Sequence, residues 1–175
     1  MRRAFWRQRY KGAKRRKEIC KWKYRSKKQL YKDAEEIYSM QIIAFKPLLD
    51  KYQDHEGSPG AETIEQIRAR MKYPQISCYF IQLNSENIGH IRINAFSEDA
   101  CRLSQMFILQ EYQGNGYAQQ AVKEIEALYP NAKNWILDTI KQEPKLRHLY
   151  EKMGYKLTGK ETNIQDGMDL VDYAK

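Results

Sequence analysis

From Leu30 onward, apolar side chains recur three and four apart: Ile37, Met40, Ala44, Leu48 and Leu49. That spacing predicts an amphipathic helix, with Asp33, Glu35 and Glu36 near its start, where the helix dipole favours acids. The turn formers His55-Glu56-Gly57-Ser58-Pro59-Gly60 break it. A second short helix, about 61–72, carries Ile64, Ile67 and Met71 on one side and stops before Pro74. The period then falls to two. Ile76–Leu83 is rich in β-formers, and Asn84-Ser85-Glu86-Asn87 supplies a turn. From Ile88 to Phe96, Gly89, Ile91, Ile93 and Ala95 face one way, and His90, Arg92 and Asn94 face the other. A turn at Ser97-Glu98-Asp99 leads to a strand from Cys101 to Leu109, completing an antiparallel meander. Ala118, Ala121, Val122, Ile125 and Leu128 mark a helix that ends before Pro130, and Trp135–Ile140 reads as a short buried strand. Pro144 suits the first turn of a helix running to about Met153, with Gly154 as its stop. Tyr155–Thr162 and Met168–Tyr173, around Gln165-Asp166-Gly167, form a closing hairpin, and a first strand is expected around Lys21–Arg25. The fold class is α/β, without an internal repeat.

A chain of 175 residues, 42% hydrophobic, is one domain's worth and buries a core without disulfide or metal staples. Its longest apolar runs, such as Ile42-Ile43-Ala44-Phe45, are too short to cross a bilayer, and no secretory apolar stretch follows the basic start. Three scattered cysteines (Cys20, Cys78, Cys101) suit a reduced, cytoplasmic protein, and three distant histidines exclude a structural zinc site. The net charge of +9 is unevenly placed. Residues 1–28 carry fourteen Lys or Arg and one acid, +13, while the other 147 hold seventeen bases and twenty-one acids, −4. We therefore separate a basic arm, residues 1–19, expected to be disordered, from a domain at 20–175. Phe5, Trp6, Tyr10, Trp22 and Tyr24 lie among the cations. The block reads either as a solvated tail, including one read from an upstream start, or as an arm for a polyanion such as RNA.

Candidate chemistry concentrates in Phe107-Ile108-Leu109-Gln110-Glu111-Tyr112-Gln113-Gly114-Asn115-Gly116-Tyr117-Ala118. A strand runs into a glycine turn that opens a helix, an arrangement whose outward N–H groups and dipole bind phosphate or pyrophosphate. The third glycine of a dinucleotide fingerprint is missing, and no Gly-Lys-Ser/Thr follows. By itself this turn is equally well a plain connection.

Gln113-x-x-Gly116-x-Ala118, placed between strand and helix, resembles the acyl-CoA loop of the GNAT N-acetyltransferases of bacterial type, Gln/Arg-x-x-Gly-x-Gly/Ala. Leu149-Tyr150-Glu151-Lys152-Met153-Gly154-Tyr155 resembles that family's Leu-Tyr-Glu-Lys-x-Gly-Phe motif, and Leu137-Asp138-Thr139 matches its fifth strand. The resemblance covers roughly residues 20–175. It implies the GNAT acyl-CoA acyltransferase fold, a mixed, mostly antiparallel sheet flanked by about four helices. It also implies acetyl-CoA (coenzyme A) as co-substrate, no metal, and direct attack of a primary amine on the thioester, whose oxyanion needs backbone donors. The backbone near Phe107 and Ile108 is expected to contact the acetyl and pantetheine groups. The amides of Gln113, Gly114, Asn115, Gly116, Tyr117 and Ala118 are expected to hold the pyrophosphate.

Tyr150 is the implied general acid toward the departing thiolate. The base is open among Asp138, ranked first, Glu143, His90 and a water chain. His90 shares a strand face with Arg92 and Asn94 that either lines the acceptor pocket or, more simply, is solvated. Cys78 and Cys101 have no neighbouring base in the pattern, which argues against a thiol nucleophile. The chain departs from the family at Glu143, where an asparagine often holds the pantetheine arm and an acid has no amide to donate. The acceptor, a small-molecule or peptide amine, is expected to be chosen by the loop around Lys51–Gly60 and by the strand ends. Two alternatives stand beside it: a ribosome- or tRNA-associated target docked through residues 1–28, and a non-catalytic acyl-CoA-binding protein, against which Tyr150 argues. Family members are frequently homodimers.

Overall fold

The computed structural model describes residues 21–24 and 27–175, with side chains from Lys32 onward. The expected basic arm, residues 1–19, lies outside them. Strand β1 (Lys21–Tyr24) precedes the long helix α1 (Lys27–Tyr52), and a single tight turn at Pro59–Ala61 leads to α2 (Ile64–Arg70). Thr63 starts α2 with a capping box, its hydroxyl accepting from the Gln66 amide while the Gln66 side chain accepts from the Thr63 amide. Strands β2 (Ile76–Leu83), β3 (Glu86–Ala95) and β4 (Ala100–Ile108) form the meander. Helix α3 (Tyr117–Ala127), strand β5 (Asn134–Ile140) and helix α4 (Pro144–Lys152) follow, and β6 (Lys156–Gln165) with β7 (Met168–Ala174) is the closing hairpin. These make the expected arrangement: one mixed, mostly antiparallel sheet of seven strands, ordered β1-β2-β3-β4-β5-β7-β6.

The two sheet faces carry separate cores. On one, Ile91, Ile93, Leu103, Trp135 and Leu137 pack with Val122 and Ile125 of α3 and Tyr150 and Met153 of α4. On the other, Cys78, Phe80 and Phe107 pack with Ala34, Ile37 and Met40 of α1 and Ile67 and Met71 of α2. Each fully buried aliphatic side chain contributes about 1.5–3 kcal/mol, so both helix layers are firmly held.

The β3–β4 register steps by one residue: Ile93 lies opposite Leu103, Arg92 opposite Gln105, and Ser104 has no partner. This bulge reverses the alternation along β4. Cys101 and Leu103 serve the α3/α4 core, whereas Phe107, at the same parity in sequence, serves the α1/α2 core.

The alternation expected for β3 is present, but its polar face is not solvated. His90 is 1% exposed beneath the α1/α2 layer, ringed by Phe80 and Phe107 at centroid distances of 6.1 and 5.8 Å. A two-residue period separates the faces of a strand without saying whether a helix covers the polar one. No described helix is long and apolar enough to cross a membrane.

Candidate active site

β4 and β5 run parallel but pair only at Ala100, Cys101 and Arg102 with Asn134, Trp135 and Ile136. Beyond that seam Leu103–Ile108 and Leu137–Ile140 share no ladder, so the sheet opens into a cleft whose two edges are backbone. The glycine loop stands at the β4 end of this cleft. Gln113 Nε2 donates to the Ile108 carbonyl at 2.8 Å, folding the loop back on its strand. Asn115 Nδ2 donates to the carbonyls of Tyr112 and Gln113, both at 3.1 Å. Gly114 and Gly116 have φ of 77° and 83°, conformations that a β-branched residue resists. Gly116 is also the N-cap of α3, and a Cβ built on either glycine meets nothing within 4 Å. The loop is therefore an open cradle whose floor is main chain, facing the first turn of a helix whose own N–H groups the helix cannot satisfy. The residues present fit an acyl-CoA pyrophosphate.

Tyr150, from α4, packs into the core between the sheet and the α3/α4 layer. It is 7% exposed, its ring edge-on to Tyr155 at 6.1 Å, and its hydroxyl makes no hydrogen bond among the described residues. Burial, and then the charge of Asp138, push its pKa up, so the phenol keeps its proton at any physiological pH. This makes it a weaker acid than the free side chain assumed from sequence. Asp138 lies on β5 opposite Asp172 and is held by an ion pair to Arg102, the last β4 residue of the seam. The Asp138 charge is thus felt at Tyr150, but Asp138 has a cation as its standing partner.

The other base candidates are committed elsewhere. Burial, then the Arg92 charge, lower the His90 pKa to about 3, and neither ring nitrogen has a hydrogen-bond partner. Such a ring stays neutral and holds a proton poorly. Burial raises the Glu143 pKa, but hydrogen bonds from Lys51 and Tyr52, both 2.6 Å, outweigh it and hold the group below its ordinary range. Glu143 thereby ties the end of α1 to the start of α4. Burial pushes the Cys78 thiol up to about 12 and that of Cys101 upward as well, so neither is a nucleophile at neutral pH.

The loop expected to choose the acceptor is braced. Asp54 accepts from the Gly57 amide at 2.8 Å, Ser58 from the Gly60 amide at 3.1 Å, and Gln41 donates to the Pro59 carbonyl at 2.8 Å. Behind it lies a group that sequence reading missed. The Glu62 carboxylate accepts from Gln41 at 2.9 Å and from Arg70, with the Arg92 guanidinium 3.7 Å away. Its members are spread from Gln41 to Arg92, and only the odd placement of Arg92 and Gln105 inside strands hinted at it.

A family described as the acetyltransferase (GNAT) domain matches residues 51–175. No curated protein sequence matches the chain. Solved structures of similar fold include an acetyltransferase from Thermus thermophilus, 17% identical, covering 90% of this chain and 96% of that one at a TM-score of 0.67. Spermidine N-acetyltransferase from Vibrio cholerae, in complex with CoA and spermine, is 16% identical, covering 89% and 94% at 0.68. An acetyltransferase from Salmonella typhimurium that modifies the N-terminal serine of ribosomal protein L7/L12 is 15% identical, covering 89% and 94% at 0.68.

Proposed function

The chain belongs to the GNAT acetyltransferase family, enzymes that draw on acetyl-CoA without a metal, and from this premise we propose that it acetylates a primary amine at the β4–β5 cleft. The glycine cradle carries the reading: two glycines at positive φ, open space above both, and a helix start beside the unpaired edge of β4. Acetyl-CoA supplies an acetyl group activated as a thioester. The amides from Gln113 to Ala118 hold the pyrophosphate, and the free edge of β4 at Phe107 and Ile108 aligns the acyl arm. The amine's nitrogen bonds to the carbonyl carbon as the carbon–sulfur bond breaks, and Tyr150 gives its hydroxyl proton to the sulfur. Asp138, whose charge acts on Tyr150 and which Arg102 anchors, receives the proton that the amine loses, directly or through water. Glu143 contributes by bracing α4 rather than by holding the pantetheine arm, since both its side-chain hydrogen bonds run to α1.

The decisive experiment is thiol release from acetyl-CoA across a panel of amino acids, peptides, polyamines and sugar amines. Release that depends on an added amine is the expected result. Tight CoA binding without turnover on any amine would favour a non-catalytic acyl-CoA-binding protein.

A second reading rests on charge. The +13 of residues 1–28 against −4 elsewhere supports a nucleic-acid-associated acceptor docked through the arm.

A further inference from the structure

Arg92 is inside the protein, its side chain 12% exposed, yet its guanidinium is only loosely paired. Its closest acid is the Glu62 carboxylate at 3.7 Å, which already accepts from Gln41 and Arg70. Burial lowers the Arg92 pKa and the neighbouring Arg70 charge lowers it further, against the pull of Glu62. Two cations therefore share one carboxylate, and the site keeps an excess positive charge. Directly across the ladder from Arg92 lies Gln105, 5% exposed, with neither its Nε2 nor its Oε1 bonded. The next residue along this face of β3, Asn94, has a buried, unbonded Oδ1. Buried polar groups are hydrogen-bonded as a rule, and an unmet one destabilises the fold. Two unmet amides beside a loosely paired guanidinium, all on one sheet face, mark a place built for a ligand.

The location gives that ligand its chemistry. Gln105 follows the last seam residue, Arg102, by three positions, so it lies on the open edge of the cleft. Arg92 lies one strand further from the cleft, about 4.8 Å away in the ladder direction. A molecule spanning the two places one group on a guanidinium and another at the edge of the cleft. A planar fork of N–H donors matches a carboxylate, while Gln105 Oε1 and Asn94 Oδ1 accept from an amine. We propose that Arg92, Gln105 and Asn94 form the acceptor subsite of this enzyme and select a small amino acid, a primary amine with a free carboxylate a few atoms away. Arg92 takes the carboxylate, and the Gln105 carbonyl orients the amine toward the cleft. Polyamines and sugar amines have no anion for this guanidinium. The inference rests on the acetyltransferase reading above and gives it a substrate class.

The test uses the full chain, saturated with CoA for melting and supplied with acetyl-CoA for turnover, and matched probes: the common amino acids against their carboxamides. The expected result is a preference for the carboxylate form of about tenfold or more in kcat/KM, or in the concentration needed to stabilise the CoA-loaded protein. Arg92→Gln should abolish it. Gln105→Leu removes an unmet amide without changing bulk much, so this variant should melt no lower than the parent, lose kcat/KM about tenfold on acid and carboxamide alike, and keep the preference that Arg92 sets. Equal response to acid and amide in the parent, a preference that survives Arg92→Gln, or full turnover in Gln105→Leu overturns the subsite. Acetylation of polyamines at or above the rate of every amino acid overturns it while leaving the transferase reading intact. Stabilisation by carboxylates through Arg92 without turnover on any amine keeps the subsite and removes that reading.

Discussion

Tyr150 and His90 are both buried ionisable groups, and burial acts on them in opposite directions because it always penalises the charged form. Raising the Tyr150 pKa preserves a proton for donation. Tyr150→Phe keeps the ring against Tyr155 and removes the hydroxyl that carries that proton, so turnover should fall by about 10²–10⁴-fold while CoA affinity holds. Equal turnover in parent and variant would make Tyr150 a packing residue. His90 has its pKa depressed to about 3 from an ordinary 6.5. Between those values the unfolded chain binds a proton that the folded protein refuses, so stability is lost as pH falls below about 6.5. His90→Leu removes this contribution. Urea midpoints measured from pH 7.5 to 5 should decline less steeply in the variant, and identical slopes would place a protonatable or solvated ring at this position.

The glycine loop acts as an element, since its value lies in the backbone it permits. Gly116→Val forces a β-branched residue to φ near 83° and fills the open space above the cradle. A ligand bound only by the folded state stabilises it by about 2.7 kcal/mol at a hundred times its Kd. Melting scans with CoA should show that gain in the parent and lose it in the variant; an undiminished gain would move the site elsewhere. This loop, like α3, α4 and the meander, was legible in the sequence because its signals are local: glycines at set spacing, Pro144 at a helix start, hydrophobic period. What failed to show had non-local causes. Nothing in Tyr155–Tyr173 says that β7 inserts beside β5 and leaves β6 at the edge. The polar face of β3 reads as solvent-facing until α1 and α2, whose apolar positions lie well upstream, are laid across it. The Glu62 group was invisible for the same reason, and with it the loose pairing of Arg92 and the unmet bonds of Gln105.

At the scale of the whole molecule, charge and layering divide the labour. Deleting residues 1–18 removes nine of the fourteen cations in the arm and leaves β1 in place. The truncated protein should melt, bind CoA and acetylate small amines as the parent does, but lose binding to RNA. In the full-length chain that binding should weaken with salt by about 0.9 log units per log unit for each duplex phosphate neutralised. Indifference to RNA at low salt would end the docking role, and failure to fold would make the arm part of the domain. The two layers, for their part, are kept in step by a single residue. Ser104 works like an inserted letter that shifts a reading frame: upstream of it odd-numbered side chains of β4 belong to one layer, downstream to the other. Ser104→Ala leaves that frame alone. Excising Ser104 would straighten the ladder and leave Gln105 and Phe107 in their own layer, whereas excising Met106 would send Phe107 to the wrong side, so this strand can lose its inserted letter but not one that keeps the frame.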